Sequence, residues 1–325
     1  MTAVLDIRNM TVALGPPGRR VTVVDGVSLR VEAGQVLCVV GESGSGKSVS
    51  ALALMRLLPA GRFAVTADRI GFEGQDLRAL PEPAMARLRG DRMAMVFQEP
   101  MTSLNPLFTV GDQIGEVLQL HRGASRAAAR AAALRALQAV QMPAPERRLD
   151  AYPHELSGGL RQRVMIAMAL ACDPALLIAD EPTTALDVTI QAQVLALLAE
   201  LRRRTGTAIL FITHNLGVVA EIADAVAVMY AGQVVERAPA ATLFTDAQHP
   251  YTLALLAAMP SLSGGAGRLE PIPGRMPAPG TAPAGCRFAP RCPFAAAICA
   301  EPPPLRAMGP GHDVACWRAP VETLQ

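Results

Sequence analysis

Residues 41–48, GESGSGKS, combine three glycines, three serines and one lysine at fixed spacing. They fit G-x-x-x-x-G-K-[ST] and stand between the apolar run VLCVV and a run with helical spacing. In such a loop, backbone N–H groups surround phosphate oxygens, Lys47 reaches the β- and γ-phosphates, and Ser48 ligates Mg²⁺. Lys47 is the only lysine among 30 basic residues, as expected where a compact ammonium is required. The predicted nucleotide-binding residues are Gly41, Ser43, Gly44, Gly46, Lys47, Ser48 and Val49.

Two adjacent carboxylates end a second apolar run, ALLIADEP, residues 175–182. An isolated Asp-Glu pair commonly does no more than cap a strand or start a turn. With a phosphate loop upstream, however, Asp180 is predicted to hold Mg²⁺ through water and Glu181 to accept the proton of the attacking water. The two motifs together predict hydrolysis of a nucleoside triphosphate.

A third motif, LSGGLRQR at residues 156–163, lies between these two. With it, the chain resembles the ATP-binding-cassette (ABC) ATPases, whose signature is close to LSGGQ; Leu160 stands where many members carry Gln. The resemblance implies that Ser157, Gly158 and Gly159 begin a helix whose N-terminus binds the γ-phosphate of ATP held by a second subunit.

The resemblance assigns roles to three more residues. Gln98 matches the glutamine that contacts Mg²⁺ and the attacking water, Asp187 matches the D-loop aspartate, and His214 matches the histidine that bonds the γ-phosphate and orients Glu181. The family commonly stacks adenine on an aromatic residue upstream of the phosphate loop. Residues 10–26 contain no aromatic residue, so the expected apolar contact is Leu14 or Val21.

The elements that must position these residues follow an α/β pattern. Apolar runs at 36–40, 92–97, 175–179, 208–212 and 225–229 predict buried strands of a mostly parallel sheet. Apolar residues at helical spacing predict an amphipathic helix over 190–204. The predicted fold class is α/β, a P-loop NTPase core of the ABC type over 1–245, with an inserted helical subdomain at about 99–172.

Residues 246–325 are predicted to form an irregular, cysteine-containing extension. After the short helix HPYTLALLAAM, the chain is dense in Gly and Pro and then contains Cys286, Cys292, Cys299 and Cys316. Their spacing leaves a 4Fe-4S cluster, a Zn²⁺ site and unligated or disulfide-forming thiols all open. His312 is a candidate substitute ligand but is expected at the surface, whereas Cys38 and Cys172 are expected to be buried.

Further motifs resemble the dipeptide/oligopeptide-importer branch, which includes nickel-uptake relatives. They are found at residues 98–114, 152–163, 249–260, 271–277 and 285–293. The resemblance favours the 4Fe-4S alternative and implies that ATP and Mg²⁺ are cofactors. It also implies a second ABC ATPase subunit (a homologous partner or a second copy), two transmembrane permease subunits and an extracytoplasmic substrate-binding protein. Other interpretations are a nickel or small-solute importer ATPase, a DNA-repair or translation ATPase, and a redox sensor carried on an ATPase.

Charge and hydropathy exclude some classes of protein. The formal net charge of the 325-residue chain is +2, which gives no reason to expect nucleic acid as a partner. Apolar runs stop far short of the ~20 residues of a membrane-spanning helix, and the N-terminus has no secretory pattern. We therefore expect a peripheral protein on the cytoplasmic face of the plasma (inner) membrane, with reduced thiols.

Overall fold

The computed structural model describes residues 3–98, 103–183, 187–259 and 272–321. The chain forms two compact units. The first contains residues 1–5, 31–35 and 72–211, and the second contains residues 6–30, 36–71 and 212–325. In the described part of the chain, no helix is both long enough and apolar enough to cross a membrane.

The described residues form strands and helices that are numbered in chain order. The strands are β1 Ala3–Leu14, β2 Val21–Glu32, β3 Val36–Val40, β4 Phe63–Thr66, β5 Arg69–Phe72, β6 Gln75–Asp76, β7 Met93–Val96, β8 Leu176–Asp180, β9 Ala208–Thr213, β10 Ala225–Tyr230, β11 Gln233–Pro239, β12 Arg306–Gly309 and β13 His312–Val314. The helices are α1 Lys47–Leu54, α2 Glu82–Leu88, α3 Val110–Arg122, α4 Arg126–Ala139, α5 Pro145–Arg148, α6 Gly158–Leu170, α7 Val188–Thr205, α8 Leu216–Ile222, α9 Ala240–Thr245 and α10 Pro250–Ala257.

The first unit contains a parallel strand pair and a group of helices. β7 and β8 pair in parallel, with Met93 opposite Leu176, and α3 to α6 follow β7 in the chain, as the predicted helical insertion requires. Polar residues set the starts of these helices: Thr109 caps α3 and Ser125 caps α4 through backbone N–H groups of the first turn. The predicted helix over 190–204 is confirmed as α7.

The second unit contains parallel and antiparallel strands. β3 and β10 pair in parallel, and β3 is buried along its whole length, as its continuous apolar sequence predicts. β1 pairs antiparallel with β4, and buried and less buried residues largely alternate along β2. β1, β2, β4 and β5 were not predicted, because these strands lack the continuous apolar runs that mark the buried strands in the sequence.

The C-terminal residues add to the sheet of the second unit, whereas the sequence predicted an irregular extension. β12 and β13 form an antiparallel pair, and β13 pairs with β11. Glu236 of β11, which pairs with Val314 of β13, is fully buried. Its carboxylate accepts hydrogen bonds from the backbone N–H groups of Gln248 (2.7 Å) and His249 (2.9 Å). The expectation that His312 lies at the surface is wrong: it is 3% exposed, and its Nε2 lies 2.8 Å from Glu236 Oε1.

Candidate functional site

The predicted phosphate-binding loop, residues 41–48, follows the end of β3 and leads into α1. Gly41 lies at φ +152°, and a Cβ there would be 2.2 Å from the carbonyl oxygen of Met229. Only glycine therefore fits where the loop leaves the sheet. Gly46 ends the loop in a left-handed conformation, and Lys47, Ser48 and the other predicted residue Val49 form the first turn of α1. This helix directs its positive N-terminal end toward the loop.

Lys47 is held within the loop itself. Its side chain reaches back so that Nζ lies 2.7 Å from Gly41 O, 2.9 Å from Glu42 O and 3.3 Å from Ser45 Oγ. The residue is only 5% exposed. The carbonyl groups of Gly41 and Glu42 therefore bind the ammonium group directly.

A cavity of about 440 Å³ adjoins the loop at Gly44. Val21 lines it, whereas Leu14 is not among its lining residues and pairs instead with Phe63 of β4. The remaining lining residues include Arg20, Arg287 and much of 277–284. A Cβ at Gly280 would be 2.8 Å from Val21 Cγ1, so the C-terminal residues pack directly on Val21.

In the first unit, the predicted site residues Gln98 and Glu181 lie together at the end of β8. Asp180 is 5% exposed at the last position of the strand. Glu181 follows at φ 47°, a left-handed conformation that costs a residue with a Cβ about 1–3 kcal/mol. Gln98 donates a hydrogen bond from Nε2 to Glu181 Oε2 over 3.1 Å. The Glu181 carboxylate can accept a proton, and the Gln98 amide beside it can orient a water molecule.

The other predicted site residues lie next to the ends of helices and strands or in the phosphate loop. Ser157 precedes α6 without capping it through its side chain, and Gly158 and Gly159 open the helix. Asp187 caps α7, because its Oδ1 accepts the N–H of Ile190 at 2.9 Å. His214 follows β9 and is exposed. Ser43 is an exposed residue of the phosphate loop.

All four C-terminal cysteines are free thiols, and Cys299 and Cys316 are buried. Burial raises the pKa of Cys286 and Cys316, and raises the pKa of Cys292 to about 11. The backbone N–H of Arg318 donates to Cys316 Sγ at 3.3 Å, a type of bond that also stabilises metal-bound sulfur. Nevertheless, the described residues contain no group of three or more His, Cys, Asp or Glu that could hold a metal ion.

The predicted burial of Cys38 and Cys172 is confirmed. Desolvation raises the pKa of both thiols, most strongly that of Cys38. Neither therefore has the thiolate character of a reactive cysteine.

Sequence reasoning missed three residues around the loop: Glu42, Tyr251 and Arg291. Glu42 donates its backbone N–H to Tyr251 Oη at 2.8 Å, and its carboxylate is bound by Arg291. Glu42 occupies a position that the loop pattern leaves unspecified, and its partners lie more than 200 residues away in the chain. No local pattern could have revealed these contacts.

Two family models match the chain. Residues 24–184 match the ABC transporter model, and residues 235–299 match the model of the oligopeptide/dipeptide transporter C-terminal region. The two matches contain the phosphate loop, the end of β8 and three of the four C-terminal cysteines. They agree with the two resemblances noted in the sequence.

Full-length relatives and solved structures agree with these models. The oligopeptide transport ATP-binding protein OppD of Escherichia coli is 50% identical over 99% of this chain and 95% of its own length. OppD of Salmonella typhimurium is 50% identical over 98% and 95%. The dimeric ATP-binding cassette MJ0796 in a post-hydrolysis state with ADP and Pi is 28% identical over 73% of this chain and 98% of its own, with a TM-score of 0.63. The chain therefore belongs to the ABC transporter family of ATPases and carries the C-terminal region of its oligopeptide/dipeptide branch.

Proposed function

We propose that this chain is the ATP-hydrolysing subunit that energises a membrane importer of di- and oligopeptides. The observation that carries the proposal is the presence of both family regions, the ATPase and the oligopeptide/dipeptide C-terminal region, in one chain. We place the boundary between the nucleotide-binding domain and the extension at 245/246, with the helical subdomain at about 99–172. Such a subunit works at the cytoplasmic face of the plasma membrane.

In this proposal, each site residue has the role that its family position implies. The loop from Gly41 to Val49, with Lys47, binds the phosphates of ATP, and Val21 contacts the base in the adjoining cavity. Ser48, Gln98 and Asp180 hold Mg²⁺, directly or through water. Glu181 accepts the proton of the attacking water, and His214 orients it. Ser157, Gly158, Gly159 and Asp187 serve the ATP of a second cassette.

The partners in this proposal are a second ABC ATPase, two permease subunits and an extracytoplasmic binding protein. MJ0796 has been solved as a dimer, which supports pairing of cassettes. In the first unit, Leu107 and Phe108 expose 79% and 52% of their surface just after Gln98 in the chain. Contiguous exposed apolar side chains can mark a protein interface, and we assign these two adjacent residues to the permease contact.

The chain should co-purify with membrane permeases, and peptide with the binding protein should stimulate its ATPase activity. Leu107→Asp together with Phe108→Asp should remove most of the co-purification, because a carboxylate cannot be buried in an apolar interface without a large cost. Leu305→Asp, at a 40% exposed apolar residue of the extension, is the matched control and should retain it. Recovery with DNA or ribosomes instead would support a non-transport ATPase, and stimulation by nickel but not by peptide would support the nickel-importer alternative.

We further propose that Cys286, Cys292, Cys299 and Cys316 ligate a 4Fe-4S cluster. The free state of all four thiols and the N–H bond to Cys316 Sγ support the proposal. Protein purified without oxygen should then contain about four iron and four sulfide per chain, the content of a 4Fe-4S cluster. Cys316→Ser should lower both, while Cys172→Ala should leave them unchanged. Stoichiometric zinc without iron would contradict the cluster and favour a Zn²⁺ site.

A further inference from the structure

Arg291, next to Cys292 in the extension, contacts the phosphate loop. Its side chain is 6% exposed. One guanidinium nitrogen lies 2.7 Å from Glu42 Oε2, and another lies 2.9 Å from Glu42 Oε1. This two-point contact fixes both the distance and the orientation of the carboxylate. Arg291 Nε also donates to the carbonyl oxygen of Pro273 at 2.7 Å, so the guanidinium itself is held in place.

Glu42 is the second residue of GESGSGKS, and the extension holds it at two points. Arg291 binds its side chain, and its backbone N–H donates to the hydroxyl of Tyr251 of α10 at 2.8 Å. Tyr251 is fully buried and packs edge-on against Tyr230, with ring centroids 4.7 Å apart. The carbonyl oxygen of Glu42 in turn accepts a bond from Lys47 Nζ at 2.9 Å. A chain of direct contacts therefore runs from the extension to the lysine.

A largely buried ion pair is a poor way to gain stability alone, because desolvation of the two charges offsets their attraction. What the pair does provide is a single, defined geometry. Arg291 ends a 3-10 turn, Ala289–Arg291, that is tied to the cysteine segment on both sides. The N–H of Ala289 bonds to Cys286 O, and the N–H of Cys292 bonds to Ala289 O.

We infer that Arg291 is a positioning residue for ATP binding: through Glu42 it holds the phosphate loop, and so Lys47, in the conformation that receives the nucleotide. The inference rests on the proposed function, because it assumes that this loop binds ATP. It makes the extension a part of the nucleotide site.

The test is MgATP binding by the purified full-length chain, measured by calorimetry. Arg291→Gln should raise the Kd about tenfold, equivalent to about 1.4 kcal/mol. Glu42→Gln should have a similar effect. In the Glu42→Gln background, Arg291→Gln should change the Kd by less than about twofold, because residues acting through one contact are not additive. Arg237→Gln, which breaks an ion pair with Asp313 elsewhere in the second unit, is the matched control and should bind as wild type does.

The results distinguish a role of Arg291 through Glu42 from a role by another route and from no role in ATP binding. If Arg291→Gln weakens binding equally with and without Glu42→Gln, Arg291 acts by another route and the inference is wrong. The inference is also wrong if wild type binds MgATP and Arg291→Gln binds it equally well. If wild type itself does not bind MgATP, the proposed function fails instead. Thermal unfolding without nucleotide identifies any variant that is merely unfolded, and Arg291→Lys then serves as the second variant, with an intermediate Kd expected.

Discussion

Glu181→Gln is expected to stop ATP hydrolysis in the assembled transporter while leaving ATP binding intact. The substitution keeps the size of the side chain and can still accept the bond that Gln98 donates, but an amide cannot take a proton from water. Loss of a general base typically lowers the rate by about 10²–10⁴-fold. The backbone at Glu181 lies in the left-handed region and tolerates glutamine as well as glutamate. The change should therefore affect chemistry rather than folding.

The measurement is phosphate release by the reconstituted transporter beside MgATP binding by the same preparation. Glu116→Gln, at an exposed carboxylate of α3 in the same unit, is the matched control and should hydrolyse ATP at the wild-type rate. Unchanged hydrolysis by Glu181→Gln would remove Glu181 from its proposed role. Loss of binding together with hydrolysis would mean that Glu181 contributes to the nucleotide site itself.

Glu236→Leu should lower the free energy of unfolding by about 3–5 kcal/mol, because each buried donor left without an acceptor costs about 1–3 kcal/mol. Leucine has a similar volume, but it leaves the N–H groups of Gln248 and His249 and the ring of His312 without their acceptor. Burial lowers the pKa of His249 to about 3, so its ring is neutral, and its Nδ1 already accepts the N–H of Tyr251 and does not replace the lost acceptor.

Urea unfolding of the full chain measures this cost. Arg237→Gln is again the natural control, because Arg237 follows Glu236 on β11 and its ion pair with Asp313 links the same two strands. Arg237 is 41% exposed, and exposed pairs contribute about 0–1 kcal/mol. A loss of stability no larger in Glu236→Leu than in Arg237→Gln would show that the buried carboxylate does not anchor the extension.

Sequence reasoning succeeded where one local pattern was enough. Strands such as VLCVV are apolar on every residue, since both faces are buried, and the apolar spacing of α7 was equally direct. It missed β1 and β2, which have partly exposed residues among buried ones. It also missed β12 and β13, which are only four and three residues long and exist because β11 offers an edge with which to pair.

The phosphate loop could be predicted from the sequence alone, because backbone N–H groups, a lysine and a helix start within eight residues form one local pattern. The place of Asp180 and Glu181 at the end of a buried strand could be predicted in the same way. Only the tertiary structure decided that Arg291 binds Glu42, that Gln98 bonds Glu181 and that His312 is buried against Glu236. These contacts join residues between 76 and 249 positions apart. Such pairs depend on how elements pack, and a single sequence carries no local signal of that packing.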